Sequence, residues 1–321
     1  MAVNTGSITL SNGVKLPRLG LGTAFPGSPQ EFKIALRAAL DTGYRYIDTA
    51  TAYKNEDVIG EVLQEYFDAG KLKREDVFIT TKLPYTGHRE VDYHLKKSLE
   101  NLKLDYVDLY LIHKPVPSQL VTTLDENMEE VDRKFIPDLI PLIDTWRELE
   151  KHYKAGTVKA IGVSNFNGKQ LRDIHDQAEI KPHNLQVELH LLNPQHELVA
   201  LCKKLNVSVT SYATLGSPGT PFFRGGVQAN IFEHELVKEM AKKYEKSPAQ
   251  IILRQMMQRG VSVIPKSTNP TRIQGNIDVF DFQISRKDMK KFDEITDRIR
   301  LFPFQVNRHH PWHPFQDEFK A

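Results

Sequence analysis

The sequence predicts an α/β protein: a (β/α)8 TIM barrel over residues 1–321, one domain, with an N-terminal β-hairpin, extended substrate loops and a C-terminal tail. Two observations carry this expectation. Short apolar runs recur at a spacing of about 30 residues, the size of a βα unit. Between them, apolar residues repeat with the period of an amphipathic helix. Strands that are apolar throughout, each followed by a helix, belong to a parallel sheet covered on both faces. Eight such units favour closure over an open sheet, and 321 residues are enough for one large barrel.

Taken in order, ITLSNGVKLPRL reads as a hairpin, because Asn12-Gly13 supplies the positive φ angles of a tight turn. The eight strand runs are 19–22, 44–48, 77–82, 107–113, 158–163, 185–189, 207–212 and 261–266. Ser28-Pro29-Gln30-Glu31 has the pattern of a capping box with proline in the first turn. It opens a helix whose inner face is Phe32, Ala35, Leu36, Ala39 and Leu40. Val58, Ile59, Val62, Leu63, Tyr66 and Phe67 mark a second helix, ending before Gly70. Leu95, Leu99 and Leu102 mark a third, and Leu142, Trp146 and Leu149 a fourth. The longest stretches without a pattern are 114–137, 213–231 and the tail from about 299, which is rich in proline, histidine and aromatics.

Composition narrows the functional classes. The formal net charge is +2, with no concentrated basic run of the kind that binds nucleic acid. No apolar segment is long enough to span a bilayer, and the N-terminus lacks a basic region followed by an apolar run. The single cysteine, Cys202, excludes an internal disulfide and reads as a helix-packing thiol. A soluble cytoplasmic protein acting on a small molecule is the expectation, without nucleic-acid or membrane partners.

In barrels of this kind the chemistry sits at the C-terminal ends of the strands. The second strand ends in Asp48 and its loop carries Tyr53; the third ends in Lys82 and the fourth in His113. An unperturbed tyrosine titrates at about 10. A neighbouring ammonium from Lys82 would lower that value, while Asp48 would hold the lysine in place and protonated. His113 can hydrogen-bond a substrate oxygen and orient its carbonyl. The four together suit protonation of an oxygen while a hydride arrives at the adjoining carbon. Ser164-Asn165, Gln186 to Glu188, Tyr212 and Lys266-Ser267 occupy the later strand ends. No GxGxxG fingerprint is present, so a nucleotide would have to be held otherwise. Lys266, Ser267 and Arg272 near a helix beginning at Pro270 suit a phosphate-bearing ligand, and Tyr212 offers a face for a nicotinamide ring.

GYRYIDTATAYKNED, LKKSLENLKLDYVDLYLIHKP, GVSNF and IPKS, in this order, strongly resemble segments of the aldo-keto reductase family. The likeness implies a barrel, usually monomeric, that reduces aldehydes and ketones with NADPH and without a metal. It implies that Asp48, Tyr53, Lys82 and His113 are a catalytic tetrad with Tyr53 as general acid. Ser164, Asn165 and Gln186 would hold the nicotinamide carboxamide beneath Tyr212, with Thr23 and Asp48 on the ribose side. Leu215 and Ser217 would cover the pyrophosphate. Lys266, Ser267, Thr268, Asn269 and Arg272 would surround the adenosine 2′-phosphate, and Asn276 would lie near the adenine. NADPH is the expected cofactor, with NADH a weaker substitute.

Departures from the family pattern fall around the substrate, at Ala24, Pro84 and Lys114, where aromatic residues are frequent. A wider or more polar pocket follows, refilled by Tyr85, Phe222, Phe223 or the Trp312 tail, with Lys114 attracting a carboxylate or several oxygens. On the cofactor side Ala213, Thr214, Asn269 and Gly275 depart from the usual residues. Two rival readings are a Schiff-base aldolase using Lys82 or Lys266, and a cofactor-binding sensor on the same fold.

Overall fold

The computed structural model describes residues 6–25, 27–124, 130–219 and 229–319. Phe222 and Phe223 lie outside the described residues. The chain begins with an antiparallel hairpin, β1 (Ser7–Thr9) and β2 (Lys15–Pro17), turning at Gly13, whose φ of 90° explains the glycine. The main sheet has eight parallel strands: β3 (Leu21–Gly22), β4 (Tyr46–Asp48), β5 (Phe78–Leu83), β6 (Leu109–Ile112), then, after an inserted hairpin of β7 (Ser118–Leu124) and β8 (Glu130–Pro137), β9 (Ile161–Ser164), β10 (Asn184–Glu188), β11 (Ser208–Tyr212) and β12 (Ser262–Val263). Bridges Leu19 to Val263 and Gly22 to Lys266 join the first strand to the last and close the barrel. A Cβ on Gly22 would stand 2.6 Å from the Ile264 carbonyl oxygen, so closure requires glycine there.

The helices are α1 (Pro29–Thr42), α2 (Glu56–Asp68), α3 (Val91–Leu102), α4 (Leu142–Ala155), α5 (Gly168–Gln177), α6 (His196–Lys204), α7 (Glu235–Tyr244), α8 (Pro248–Gln258), α9 (Pro270–Ile277) and α10 (Arg286–Asp293). The Ser28–Glu31 capping box opens α1, and the five predicted inner-face residues of that helix are buried. Cys202 is buried in α6, and its burial pushes the thiol up to about 12, as an inert packing group requires.

The barrel has unlike ends. At the N-terminal end, Leu10 and Leu16 of the hairpin close over Tyr46, Phe78, Leu109, Leu111, Ala160 and Ile264 in one apolar cluster. This plug excludes water and leaves the opposite end as the open face. The segment 114–137 is not irregular, as its sequence suggests, because β7 and β8 pair along it. The reason is physical: Leu120, Val121 and Ile136 are exposed, so among the described residues these apolar positions mark no buried face with a period of two.

Candidate active site

At the open end, Lys82 on β5 is fully buried, with its Nζ 2.6 Å from Asp48 Oδ1 and 2.7 Å from the Thr49 carbonyl oxygen. Gln186 reaches across from β10 and donates to the other Asp48 oxygen at 2.7 Å. Burial works against the lysine charge, but Asp48 and Tyr53 outweigh it and hold the ammonium protonated. Burial also lifts the Asp48 carboxyl above its ordinary value, against the pull of Lys82 and Gln186.

Tyr53 ends a single 3-10 turn, Thr51–Tyr53, between β4 and α2. Thr51 Oγ1 donates to the Lys82 carbonyl at 3.1 Å. Asn55, the cap of α2, donates to the Thr23 carbonyl at 2.8 Å and accepts from Thr49 at 2.9 Å. Thr23 Oγ1 in turn donates to the Asp48 carbonyl at 2.9 Å. The turn is thus tied to both neighbouring strands. Lys82 Nζ lies 5.0 Å from the Tyr53 ring centroid, and the His113 ring meets it edge-on at 5.7 Å. Burial raises the Tyr53 pKa and Lys82 only partly counters it. The expectation of a net lowering is corrected: desolvation wins, and the phenol keeps its proton at neutral pH.

His113 follows β6. Its N–H donates to the Leu83 carbonyl at 3.1 Å, and its carbonyl accepts from Asn165 Nδ2 at 2.8 Å. Burial, together with the charges of Lys82 and Lys114, drives its pKa well below the usual histidine value, so the imidazole is neutral. Its Nδ1 is buried without a partner among the described residues.

Ser164, Asn165, Gln186 and Tyr212 form one connected chain beside these groups. Asn165, at φ 64°, donates from Nδ2 to Ser164 Oγ at 3.1 Å and accepts the Tyr212 hydroxyl at 2.7 Å. Its backbone N–H donates to the Gln186 carbonyl at 2.9 Å. The left-handed conformation, which asparagine tolerates better than most residues other than glycine, lets one side chain face both His113 and Tyr212. Leu215 is half-buried against the core, and Ser217 has φ 44° in the loop after β11.

Lys266, Ser267 and Thr268 lead from β12 to α9. Asn269 caps that helix by accepting the Arg272 N–H at 3.1 Å, and Ser267 Oγ accepts the Asn269 N–H at 3.1 Å. Burial lowers the Lys266 pKa. Neither Lys266 nor Arg272 forms an ion pair among the described residues, so two cations meet a helix N-terminus with no protein anion. That donor set fits a phosphate. Asn276 is buried further along α9.

On the substrate side, Ala24 is half-buried and Pro84 buried, its carbonyl accepting the Gly87 N–H at 2.9 Å. Phe25, unnoticed in the sequence, stands 6.4 Å from the Tyr53 ring. Lys114 Nζ lies over two rings, 4.9 Å from the centroid of Tyr85 and 4.1 Å from that of Phe304. Trp312, in contrast, turns to α5, where its carbonyl accepts from Gln170 Nε2 at 2.8 Å, and its ring lies against His310.

The tail is rooted at Glu188, the last residue of β10. Its carboxylate accepts the N–H groups of Leu301 at 2.6 Å and Phe302 at 2.8 Å, and the His190 ring at 3.0 Å. Burial would raise its pKa, but His190, Arg300 and the Leu301 N–H outweigh that and hold it ionised. Phe302 then meets Tyr212 edge-on at 5.8 Å. The sequence marks Glu188 as a strand end but gives no sign of this partner, which arrives from the far end of the chain.

The closed parallel barrel, with its polar groups gathered at the C-terminal strand ends, defines a (β/α)8 barrel enzyme. The model of the aldo/keto reductase family matches residues 18–297. The chain is 39% identical to aldo-keto reductase family 1 member A1 of Gallus gallus, over 99% of this chain and 100% of that protein. It is 43% identical to aldo-keto reductase family 1 member A1-A of Danio rerio, over 92% and 91%. The structure of the aldose reductase from Schistosoma japonicum superposes with a TM-score of 0.87 at 38% identity, over 97% of this chain and 99% of that one. The chain belongs to the aldo/keto reductase family, and as such is an oxidoreductase that reduces carbonyl groups with a nicotinamide cofactor.

Proposed function

We propose that the enzyme reduces an aldehyde or ketone with a preference for NADPH, using Tyr53 as the proton donor. The observation that carries this reading is the cluster of a buried Lys82–Asp48 pair, a protonated phenol and a neutral imidazole on neighbouring strand ends. A carbonyl oxygen reaching Tyr53 and His113 meets two neutral hydrogen-bond donors. As negative charge grows on that oxygen it draws the Tyr53 proton, and the phenolate left behind faces the Lys82 ammonium. Asp48 keeps that ammonium in place. The cofactor, when bound, supplies the hydride. Ser164, Asn165, Gln186 and Tyr212 would hold its nicotinamide end. Leu215 and Ser217 would cover the pyrophosphate, while Lys266, Ser267, Thr268, Asn269, Arg272 and Asn276 would hold the adenosine phosphate end.

The Schiff-base reading through Lys82 fares worse. An aldolase lysine needs a free amine, and Lys82 is fixed as an ammonium by Asp48. On the favoured reading the enzyme works as a cytoplasmic monomer; among the described residues no helix is long and apolar enough to cross a membrane.

Replacing Tyr53→Phe removes the proton and leaves the ring. Turnover of a generic aldehyde, followed by NADPH absorbance, should fall by roughly 10²–10⁴-fold, and retained activity would overturn the mechanism. Lys266→Ala should raise KM for NADPH about tenfold while changing that for NADH little, because an exposed charged hydrogen bond to phosphate is worth roughly 1.5 kcal/mol. Equal changes for both would refute the 2′-phosphate role.

A further inference from the structure

Lys114 is a cation in the mouth of the barrel that the proton-transfer machinery does not use. Its ammonium forms no ion pair or hydrogen bond among the described residues. It is bracketed by the Tyr85 and Phe304 rings. It immediately follows His113, and its charge acts on both His113 and His313 of the tail. The bracket is built with care. Phe304 is held at φ 55°, a conformation costly for any residue but glycine. Its ring stacks on Phe315 at 5.7 Å, and the Arg300 guanidinium lies 3.6 Å from the Phe315 ring centroid. Arg300 is clamped in turn by Glu318 at 2.6 and 2.8 Å. On the other side Tyr85 is propped edge-on by Phe135 of β8, 5.0 Å away.

Aromatic faces attract a cation but do not neutralise it. Burial still pushes the Lys114 ammonium down to about 8, so a charge is retained at neutral pH in a place that disfavours it. A residue serving only to pack the mouth would be apolar; one serving as a structural ion pair would have its carboxylate. Among the described residues, the titratable groups facing it are His113, Tyr85 and His313, none of them anionic at neutral pH.

We infer that Lys114 is a specificity-determining residue, and that the natural substrate is a carbonyl compound bearing a carboxylate that pairs with its ammonium beside the Tyr85 and Phe304 rings. This deepens the proposed function and rests on it. One ammonium balances one negative charge, which favours a carboxylate over a phosphate dianion.

The test compares 4-carboxybenzaldehyde with its methyl ester, a pair differing in the charge at one end, using NADPH and the full-length enzyme. The wild type should favour the acid in kcat/KM. Lys114→Met should lower the acid-to-ester ratio roughly thirtyfold, the scale set by truncating a buried charge pair, and Lys114→Arg should keep most of it. A ratio unchanged in Lys114→Met, or no preference in the wild type, overturns the inference. Binding of the product acid, 4-(hydroxymethyl)benzoate, to the NADP+-bound enzyme by calorimetry reads the same contact without turnover. If the wild type turned over neither aldehyde, yet bound the product acid and lost it in Lys114→Met, the catalytic proposal would fail and only the carboxylate contact at Lys114 would stand. Turnover of both aldehydes, with product-acid binding equal in the two proteins, would do the reverse.

Discussion

The ends of β5 and β6 lie side by side and each brings a lysine to the barrel mouth, Lys82 buried and Lys114 half-buried, but the two are treated in opposite ways. Lys82 has a carboxylate 2.6 Å from its Nζ and a carbonyl at 2.7 Å, and its charge is held firmly. Lys114 has two ring faces and no anion among the described residues, and its charge is weakened to a pKa of about 8. A buried ion with its partner in place is preorganised machinery. A buried ion without one is a socket, costly to the free protein and useful only when something fills it. Stability and selectivity should therefore respond in opposite directions at the two sites.

The largest effect is expected at the paired lysine. Lys82→Met leaves Asp48 buried with only Gln186 to meet its charge. Breaking a buried pair from one side costs about 3–5 kcal/mol, which thermal unfolding would register as a marked fall in Tm. Turnover should fall with it, since the Tyr53 phenolate loses its cation. A variant as stable as the wild type would mean that Asp48 simply takes up a proton and the pair holds little. Lys114→Met should do the reverse to stability. Moving a lysine from 10.5 to about 8 corresponds to a cost of about 3 kcal/mol at neutral pH, of which the ring faces return about a third to two thirds. The methionine variant should therefore be more stable by about 1–2 kcal/mol while losing its preference for the acid. A fall in Tm would show the cation to be part of the packing.

How these sites could be read from sequence differs for the same reason. The cluster of Asp48, Tyr53, Lys82 and His113 was legible because each member ends a strand or its loop, and the apolar runs locate strands well: all eight predicted runs carry barrel strands. The Ser28–Glu31 box and the inner face of α1 were legible because both are local. Lys114 was visible as an oddity, but its surroundings were not. Phe304 reaches it from a tail without periodicity, through a backbone angle that tertiary contacts impose. Glu188 looks like any strand-end acid until Leu301 and Phe302 are placed against it. The hairpin of β7 and β8 escaped because it exposes the residues that would have announced it. Pattern reports what burial dictates locally; contacts made across the whole chain leave no such mark.

The contrast sharpens with pH. Lys114 titrates near 8 when folded and at 10.5 when unfolded. Below pH 8 both states carry the proton and the cost of burying the charge is constant. Between 8 and 10.5 the unfolded chain binds more protons than the folded one, so stability rises with pH, by at most about 1.4 kcal/mol per unit. Above 10.5 both states are neutral and the cost is gone. The stability advantage of Lys114→Met over the wild type should therefore be flat up to pH 8 and shrink steadily above it. The lysines and tyrosines that titrate in this range in the unfolded chain are common to both proteins and cancel in the difference. Paired melts of the two proteins at pH 7, 8, 9 and 10 follow it directly. An advantage that stayed constant to pH 10 would mean Lys114 keeps its charge throughout, as Lys82 does, and that an anion within the protein already fills the socket.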